Sequence, residues 1–313
     1  MAIRYWLQAA RPRTLPLAFS GALLGSLLAS LQHRTNAAVT LLCAATAAAL
    51  QVFGNLANDY GDARSGADSP LRQGPERMVA SGRISPAAMR FGLILSALSC
   101  ILLGTALLAA ALPVLCSGWQ SWLFWLLAGT ASLAAAYCYT AGCKPYGYIG
   151  LGDLAVFVFF GLLSVCGSEF LHTGRLNPAS LTPAAAMGLW CCMILNLNNM
   201  RDINSDLRAG KHTVAARLCL PRAKRYHTAL ATTAALLWCA WLPACFHGAP
   251  LYAFQTALAA ASLTHLYFLK KAQSPWTSCC RNGAPPYYCG WRPCGSAADT
   301  GNIPSATAAC PTF

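Results

Sequence analysis

Residues 36–68, "NAAVTLLCAATAAALQVFGNLANDYGDARSGAD", contain the stretch that decides the fold of this chain. Residues 36–54 carry no charge, and about 20 residues of helix are enough to cross the roughly 30 Å hydrocarbon layer of a membrane. Three aspartates and two asparagines then follow within residues 55–68. We therefore interpret this stretch as a membrane-spanning helix that ends in a group of acidic and amide side chains.

The composition of the whole chain also indicates a membrane protein. Of its 313 residues, 56% are hydrophobic and 10% are charged, whereas soluble domains carry about 25% charged residues. Apolar stretches of sufficient length predict eight transmembrane helices, near residues 15–32, 37–57, 88–112, 119–139, 151–171, 182–200, 226–246 and 250–269. The predicted fold class is an all-α integral membrane protein, a helical bundle that crosses the lipid bilayer repeatedly.

The basic residues predict the orientation of these helices. If the N-terminus is cytoplasmic, segments 58–87, 140–150, 201–225 and 270 onward are cytoplasmic too. Up to residue 271, eighteen Lys and Arg residues lie in or beside those segments, and only Arg34 and Arg175 lie on the opposite side. Lys and Arg gather on the cytoplasmic side of membrane proteins, so we predict a cytoplasmic N-terminus in a bacterial inner membrane. The net charge of +13 follows from this bias, and we predict no nucleic-acid partner.

Two regions of the chain differ in composition. Residues 1–272 form the predicted transmembrane domain, in which scattered cysteines act as small hydrophobic residues. Residues 273–313 contain five Cys and six Pro and show no helical period. We interpret this Cys- and Pro-rich tail as an atypical end of the chain, either disordered or aberrant.

Acidic and amide side chains recur at helical spacing in two cytoplasmic segments. The first set is Asn55, Asn58, Asp59 and Asp62, and the second is Asn199, Asp202 and Asp206. Asn55, either Asn58 or Asp59, and Asp62 lie at positions i, i+3 or i+4, and i+7, and the second set lies at i, i+3 and i+7, which places each series on one face of a helix. Asn204 lies two positions from both Asp202 and Asp206, so we expect it to point away from that face.

Carboxylates that share a helix face repel each other and are costly near lipid. A cation between them removes this cost, and carboxylate and amide oxygens suit Mg²⁺, which completes its shell with phosphate oxygens and water. The spacing therefore predicts a Mg²⁺ site that traps a diphosphate. The alternative is that these acids are solvated loop charges.

Basic residues lie in or near both acidic segments and suit the same diphosphate site. They are Arg72 and Arg77 in "LRQGPER", and Arg201 and Lys211 in "MRDINSDLRAGK". Guanidinium groups bind phosphate oxygens in pairs, and Lys acts as a compact charge. Alternatively, any of them is simply a charge that follows the positive-inside rule.

The two acidic motifs, "NDYGD" and "RDINSD", resemble those of the UbiA-type intramembrane prenyltransferases. Other stretches are similar to the branch of that family that acts on 1,4-dihydroxy-2-naphthoate in menaquinone synthesis. These are "RPRTLPLAF" at 11–19, "RQGPERMVASGRIS" at 72–85, "YTAGCKPYGYIGLGDL" at 139–154 and "LNLNNMRDINSDLRAGKHTVAARL" at 195–218. The resemblance covers residues 1 to about 270 in the family's order.

The resemblance implies a nine-helix bundle whose cavity opens toward the cytoplasm and the lipid. It implies transfer of a polyprenyl group from polyprenyl diphosphate to 1,4-dihydroxy-2-naphthoate, with loss of CO₂ and diphosphate. Mg²⁺ would be held by Asn58, Asp59, Asp62, Asp202 and Asp206. The diphosphate would be bound by Asn55, Arg72, Arg77, Arg201 and Lys211. Among these, Asp62, Asp202 and Asp206 are the expected catalytic acids.

The acceptor side of the site is less specified by these motifs. Arg13 either pairs with the acceptor carboxylate or anchors the first span at the interface, and Tyr139 is a further candidate for substrate binding. Asp153 is a catalytic candidate, because an acid at the head of an apolar helix is costly unless it is used. Rival functions are prenyl transfer to 4-hydroxybenzoate or haem, and secondary transport coupled to an ion.

The sequence departs from the family pattern at two places. Gly66 occupies the position of the last acid of the common first motif, and Asp68 follows two positions later. The tail at 273–313 replaces the expected ninth helix.

Overall fold

Helices make up most of this chain, and no strand occurs in residues 3–65, 75–115, 119–142 and 145–271, the parts that the computed structural model describes. The helices are α1 (Ile3–Ala10), α2 (Leu15–Leu31), α3 (Ala37–Ser65), α4 (Pro86–Leu115), α5 (Trp119–Cys138), α6 (Gly152–Val156), α7 (Ser164–Thr173), α8 (Leu181–Arg208), α9 (Val214–Trp241) and α10 (Ala249–Lys271). A π-helical segment, Phe157–Leu163, joins α6 to α7. The predicted all-α fold class is therefore confirmed.

Each of the eight predicted spans falls on helical structure. Five segments of the described chain are long and apolar enough to cross a membrane: Ile3–Leu31, Ala37–Ser65, Pro86–Ala111, Gly152–Thr173 and Pro178–Arg208. Helix α3 has 29 residues and α8 has 28, which exceeds the roughly 20 that a bilayer requires. The extra turns extend both helices beyond their predicted spans, and these turns carry the two acidic motifs.

Small residues allow the helices of the bundle to approach closely. A Cβ atom added at Gly21 would lie 2.7 Å from the backbone oxygen of Phe160, and one at Gly25 would lie 2.8 Å from the Ser168 Cβ. Gly21 and Gly25 are four positions apart and form one small-residue face, the usual way in which membrane helices pack without a hydrophobic driving force. This face fixes α2 against α7 and the π-helical segment.

Two irregularities shape the second half of the bundle. The π-helical segment packs on α8 at Gly161, where an added Cβ would lie 2.6 Å from the Gly188 Cα. Helix α9 is kinked at Cys219, which has a positive φ of 57°. Pro221 follows two residues later, and proline removes a helical hydrogen bond and disfavours helical backbone at the residue before it.

The loop before α4 is anchored in an apolar cluster. Met78 and Ile84 are almost fully buried and pack in a cluster with Phe53, Leu56 and Tyr60 of α3. The backbone N–H of Ile84 donates to the Met78 carbonyl at 2.9 Å. The loop residues 75–85 therefore lie against the end of α3 that carries the first acidic motif.

Candidate active site

A cavity of about 1090 Å³ lies inside the bundle and connects both acidic motifs. Along α3 its wall runs from Cys43 to Asp62, a distance of about 28 Å at the usual helical rise of 1.5 Å per residue. Leu, Phe and Ala side chains of α2, α4, α5 and the π-helical segment line the apolar part. The motifs of α3 and α8 both line its polar end, so the cavity combines an apolar tunnel with a charged mouth.

The first motif contributes Asn58 and Asp62 to the cavity wall. The Thr140 hydroxyl donates to the Asn58 Oδ1 at 2.9 Å. The Arg77 guanidinium pairs with Asp62 at 2.7 Å, and both side chains are about 95% buried, with exposures of 5% and 4%. The Tyr148 hydroxyl also donates to Asp62, at 3.2 Å. Burial, together with the nearby Asp62 carboxylate, raises the pKa of Tyr148 to about 12, so this phenol remains a donor at neutral pH.

The second motif contributes Asp202 and Asp206 from α8. Arg201 donates to both oxygens of Asp202, at 2.8 and 2.7 Å, the paired geometry typical of guanidinium and carboxylate. The Lys211 Nζ lies 3.9 Å from Asp206 and over the ring of Tyr139 at 5.8 Å. Each of the three motif carboxylates that line the cavity thus has a cation beside it.

The faces of α8 agree with the helical period. Asp202 and Asp206 are both buried and line the cavity, whereas Asn204 between them is exposed. Residues four apart share a face of an α-helix, and residues two apart do not. The predicted difference in direction between Asn204 and the two acids is therefore present.

Asp59 and Asp153 contact other parts of the protein and do not line the cavity. The two Asp59 oxygens accept the backbone N–H groups of Met78 and Val79, each at 2.9 Å. Asp153 accepts the Tyr226 hydroxyl at 3.2 Å. Neither acid is part of the cavity wall. Both carboxylates are thus engaged inside the protein, and the metal-ligand role of Asp59 and the catalytic role of Asp153 stay predictions.

Three further predicted residues line the cavity. Asn55 donates to the Ala10 carbonyl and to the Thr14 hydroxyl, both at 2.9 Å, which ties α3 to the segment after α1. Tyr139 reaches the cavity beside Tyr146, with 5.5 Å between ring centroids. Arg13 lies at the mouth and is exposed. Arg72 and Asp68 lie outside the described residues, as do Gly66 and the tail.

Sequence reasoning missed several polar residues of this wall, among them Gln51 and Thr140. Gln51 donates to the Thr14 hydroxyl at 3.0 Å and to the Asn55 amide oxygen at 3.3 Å. It precedes Asn55 by four positions, so extending the same helix face by one turn would have found it. Thr140, the partner of Asn58, follows α5 and carries no comparable signal.

The donor set at the cavity mouth has the chemistry that Mg²⁺ requires. Asn58, Asp62, Asp202 and Asp206 offer hard oxygen atoms, which Mg²⁺ prefers over nitrogen or sulfur. Within the described residues, no three His, Cys, Asp or Glu side chains are close enough together to hold a metal ion by themselves. Such a donor set suits a cation that also takes oxygens from a phosphate and from water.

Comparison with known proteins places these features in one family. The profile of the UbiA prenyltransferase family matches residues 18–279. The 1,4-dihydroxy-2-naphthoate octaprenyltransferase of Escherichia coli is 47% identical over 225 residues, which are 72% of each chain. The protein of the same name from Haemophilus influenzae is 39% identical over 277 residues, 87% of this chain and 88% of the relative.

Solved structures share the fold. A UbiA homolog from Archaeoglobus fulgidus, bound to GPP and Mg²⁺, aligns with a TM-score of 0.58 at 16% identity and covers 87% of this chain and 89% of its own. An apo UbiA homolog from Aeropyrum pernix aligns with a TM-score of 0.55 at 19% identity, and the alignment covers 86% of this chain and 92% of the homolog. The chain therefore belongs to the UbiA prenyltransferase family and is a multi-pass membrane prenyltransferase.

Proposed function

We propose that this enzyme transfers a polyprenyl group from polyprenyl diphosphate to 1,4-dihydroxy-2-naphthoate. The observation that carries the proposal is the cavity itself, in which carboxylates and cations surround the mouth of an apolar tunnel. Relatives at 47% and 39% identity carry the name of this activity, and solved homologs with the same fold are described with GPP or DMAPP and Mg²⁺. The product is demethylmenaquinol.

The mouth of the cavity suits the diphosphate end of the donor. Arg77, Arg201 and Lys211 all line it, and each lies within 4 Å of one motif carboxylate. These cations can bind the phosphate oxygens and stabilise the negative charge that grows as the diphosphate leaves. We assign the same role to Arg72 on sequence grounds.

Asn58, Asp62, Asp202 and Asp206 would hold Mg²⁺ in this proposal. When bound, the metal would neutralise the repulsion between diphosphate and carboxylates and act as a Lewis acid on the leaving group. Asn55 lies one turn from Asn58 and contributes to positioning, since its amide bridges to Thr14 and Ala10.

The tunnel suits the polyprenyl chain and the allylic cation. Its apolar wall excludes water, which would otherwise quench the cation. The allylic C–O bond of the diphosphate breaks, and a C–C bond forms at the ring carbon that carries the carboxylate. Loss of CO₂ from that carbon then restores the aromatic ring. Arg13 and Tyr139 are the proposed acceptor contacts, because both line the cavity and a guanidinium can pair with a carboxylate.

One assay tests this function. Membranes that contain the enzyme receive ¹⁴C-carboxyl-labelled 1,4-dihydroxy-2-naphthoate and a polyprenyl diphosphate, and ¹⁴CO₂ and lipid product are measured together. Equal amounts of both products are expected. Parallel reactions with 4-hydroxybenzoate and with haem address the other acceptors. Transfer to either of those without transfer to the naphthoate would refute the acceptor assignment and leave the family assignment intact.

A secondary transporter is the second candidate and is not favoured by the geometry. Transporters place coupling ions near the bilayer midplane at broken helices. Asp62 lies three residues before the end of α3, and Asp206 lies two residues before the end of α8. Both acids therefore lie at helix ends beside basic loops, which suits a diphosphate site.

A further inference from the structure

Asp59 is a buried acid that the proposed reaction does not use. It is 1% exposed and belongs to the first motif, yet its carboxylate is turned away from the cavity toward residues 75–85. We propose that Asp59 is a positioning residue that docks this loop and thereby places Arg77 for diphosphate binding. The proposal rests on the proposed function for the role of Arg77, but not for the docking itself.

The docked segment is a single turn of helix-like backbone. The Ser81 N–H donates to the Arg77 carbonyl at 3.0 Å, and the Gly82 N–H donates to the Val79 carbonyl at 3.0 Å. The first N–H groups of such a turn have no partner within it. Asp59 supplies that partner from another helix, because its two oxygens each accept one N–H, from Met78 and from Val79.

This contact determines where Arg77 lies. Arg77 directly precedes the two residues that Asp59 holds, and Asp62 follows Asp59 by three positions, about one helical turn further along α3. The backbone of the turn and the Arg77 guanidinium thus bind neighbouring acids of the same helix. Hydrogen bonds between backbone N–H groups and an ionised carboxylate are stronger than neutral ones, and here both carboxylate oxygens are used.

Apolar burial fixes the other side of the turn. Met78 is 1% exposed and Ile84 is fully buried, so the loop cannot slide along α3 without exposing them or losing the Asp59 contacts. While the Arg77 side chain pairs with Asp62, the backbone of the loop is held by one acid, Asp59, and by two apolar anchors. Removing the Asp59 carboxylate should leave the loop near α3 but free the backbone of the turn, so that the Arg77 side chain loses its fixed orientation.

Kinetics of variants separates positioning from metal binding. Asp59→Asn keeps the volume but presents only one acceptor oxygen to the two N–H groups. We expect the KM for polyprenyl diphosphate to rise about tenfold, with kcat and the KM for the acceptor nearly unchanged. In an Arg77→Ala background the same change should add little, because the residue that it positions is already absent. A large fall in kcat, or full additivity with Arg77→Ala, would overturn the proposal.

Two measurements without turnover complete the test. Mn²⁺ binding in the presence of inorganic pyrophosphate, followed by electron paramagnetic resonance, should persist in Asp59→Asn and weaken in Asp62→Asn. Loss of Mn²⁺ binding in Asp59→Asn would contradict the positioning role and support Asp59 as a metal ligand.

Hydrogen exchange then tests the docking directly. Exchange of peptides that contain Met78 and Val79 should accelerate in Asp59→Asn in detergent or nanodiscs. The matched control is Glu76→Gln, which removes an acid from the same loop. The Glu76 side chain is 55% exposed and lies 3.7 Å from Arg83, so this substitution should leave exchange of the Met78 and Val79 amides unchanged. Unchanged exchange in Asp59→Asn would refute the docking. Because this readout needs no substrate, it stays informative even if the proposed acceptor is wrong.

Discussion

At the scale of single residues, Asp202 and Asn204 lie on different faces of α8, because the helical period turns one toward the cavity and the other away from it. Asp202→Ala should lower turnover by orders of magnitude, because it removes a proposed metal ligand at the diphosphate. Asn204→Ala should change turnover and stability little, since Asn204 is exposed and such substitutions fall within about 0.5 kcal/mol. Turnover of both variants is compared at equal expression in membranes. Equal damage from the two substitutions would contradict the helix-face assignment.

Arg77 provides a second test at the residue scale. Arg77→Ala should raise the KM for polyprenyl diphosphate more than the KM for the aromatic acceptor, because its partner Asp62 lines the cavity at the proposed diphosphate end. Arg77→Lys should recover only part of the affinity, since an ammonium group cannot make the paired contacts of a guanidinium. Both KM values are measured under saturating second substrate. A change confined to the KM for the acceptor would show that the Arg77 loop contacts the aromatic acceptor instead of the diphosphate.

At the scale of elements, the close packing of α2 against α7 can be tested by substituting a glycine at the contact. Gly25→Val should lower the thermal stability of the purified protein by about 1–3 kcal/mol, the usual cost of forcing a larger side chain into a packed position. The reason is that the Ser168 side chain and the backbone of α7 already occupy the space of a Cβ atom.

Gly104→Ala on α4 is the matched control for that substitution. An added Cβ at Gly104 meets nothing within 4 Å, and alanine favours helix over glycine by about 1 kcal/mol. Thermal unfolding in detergent, followed by circular dichroism, should therefore show a loss for Gly25→Val and no loss for Gly104→Ala. Equal stability of Gly25→Val and the parent would show that the two helices are not in such close contact in solution.

Metal dependence is a property of the whole molecule, because the proposed ligands come from both α3 and α8. Activity in membranes should disappear with EDTA and return with Mg²⁺, since the carboxylates alone repel a diphosphate. Transfer of the labelled prenyl group is measured before chelation, after it and after Mg²⁺ is restored. Full activity in EDTA would remove the basis for a joint metal site of the two motifs.

Orientation in the membrane is a second prediction for the whole molecule. Alkaline phosphatase fused after Arg175 should be active, whereas alkaline phosphatase fused after Lys211 should be inactive. The reason is that alkaline phosphatase folds only outside the cytoplasm. The expectation follows from the excess of Lys and Arg on the predicted cytoplasmic side. The reverse pattern would place the diphosphate site on the outer face of the membrane.

The helices and the polar faces of α3 and α8 were predictable because both depend on local properties of the chain. Hydrophobic length decides which segments can span a bilayer, and the 3.6-residue period decides which side chains share a face. This is why Asp62, Asp202 and Asp206 were placed correctly on one cavity. The kink at Cys219 and the π-helical segment before α7 were not predicted, since both depend on how neighbouring helices pack.

Only the tertiary structure decided what each polar side chain meets. Asp59 and Asp62 belong to the same motif, yet one binds the backbone of Met78 and Val79 and the other binds Arg77 at the cavity. Asp153 has the expected place at a helix start, but its partner is Tyr226, 73 residues away. The helical period determines a side chain's direction relative to its own helix, whereas the residue found in that direction depends on packing between segments that are distant in the sequence.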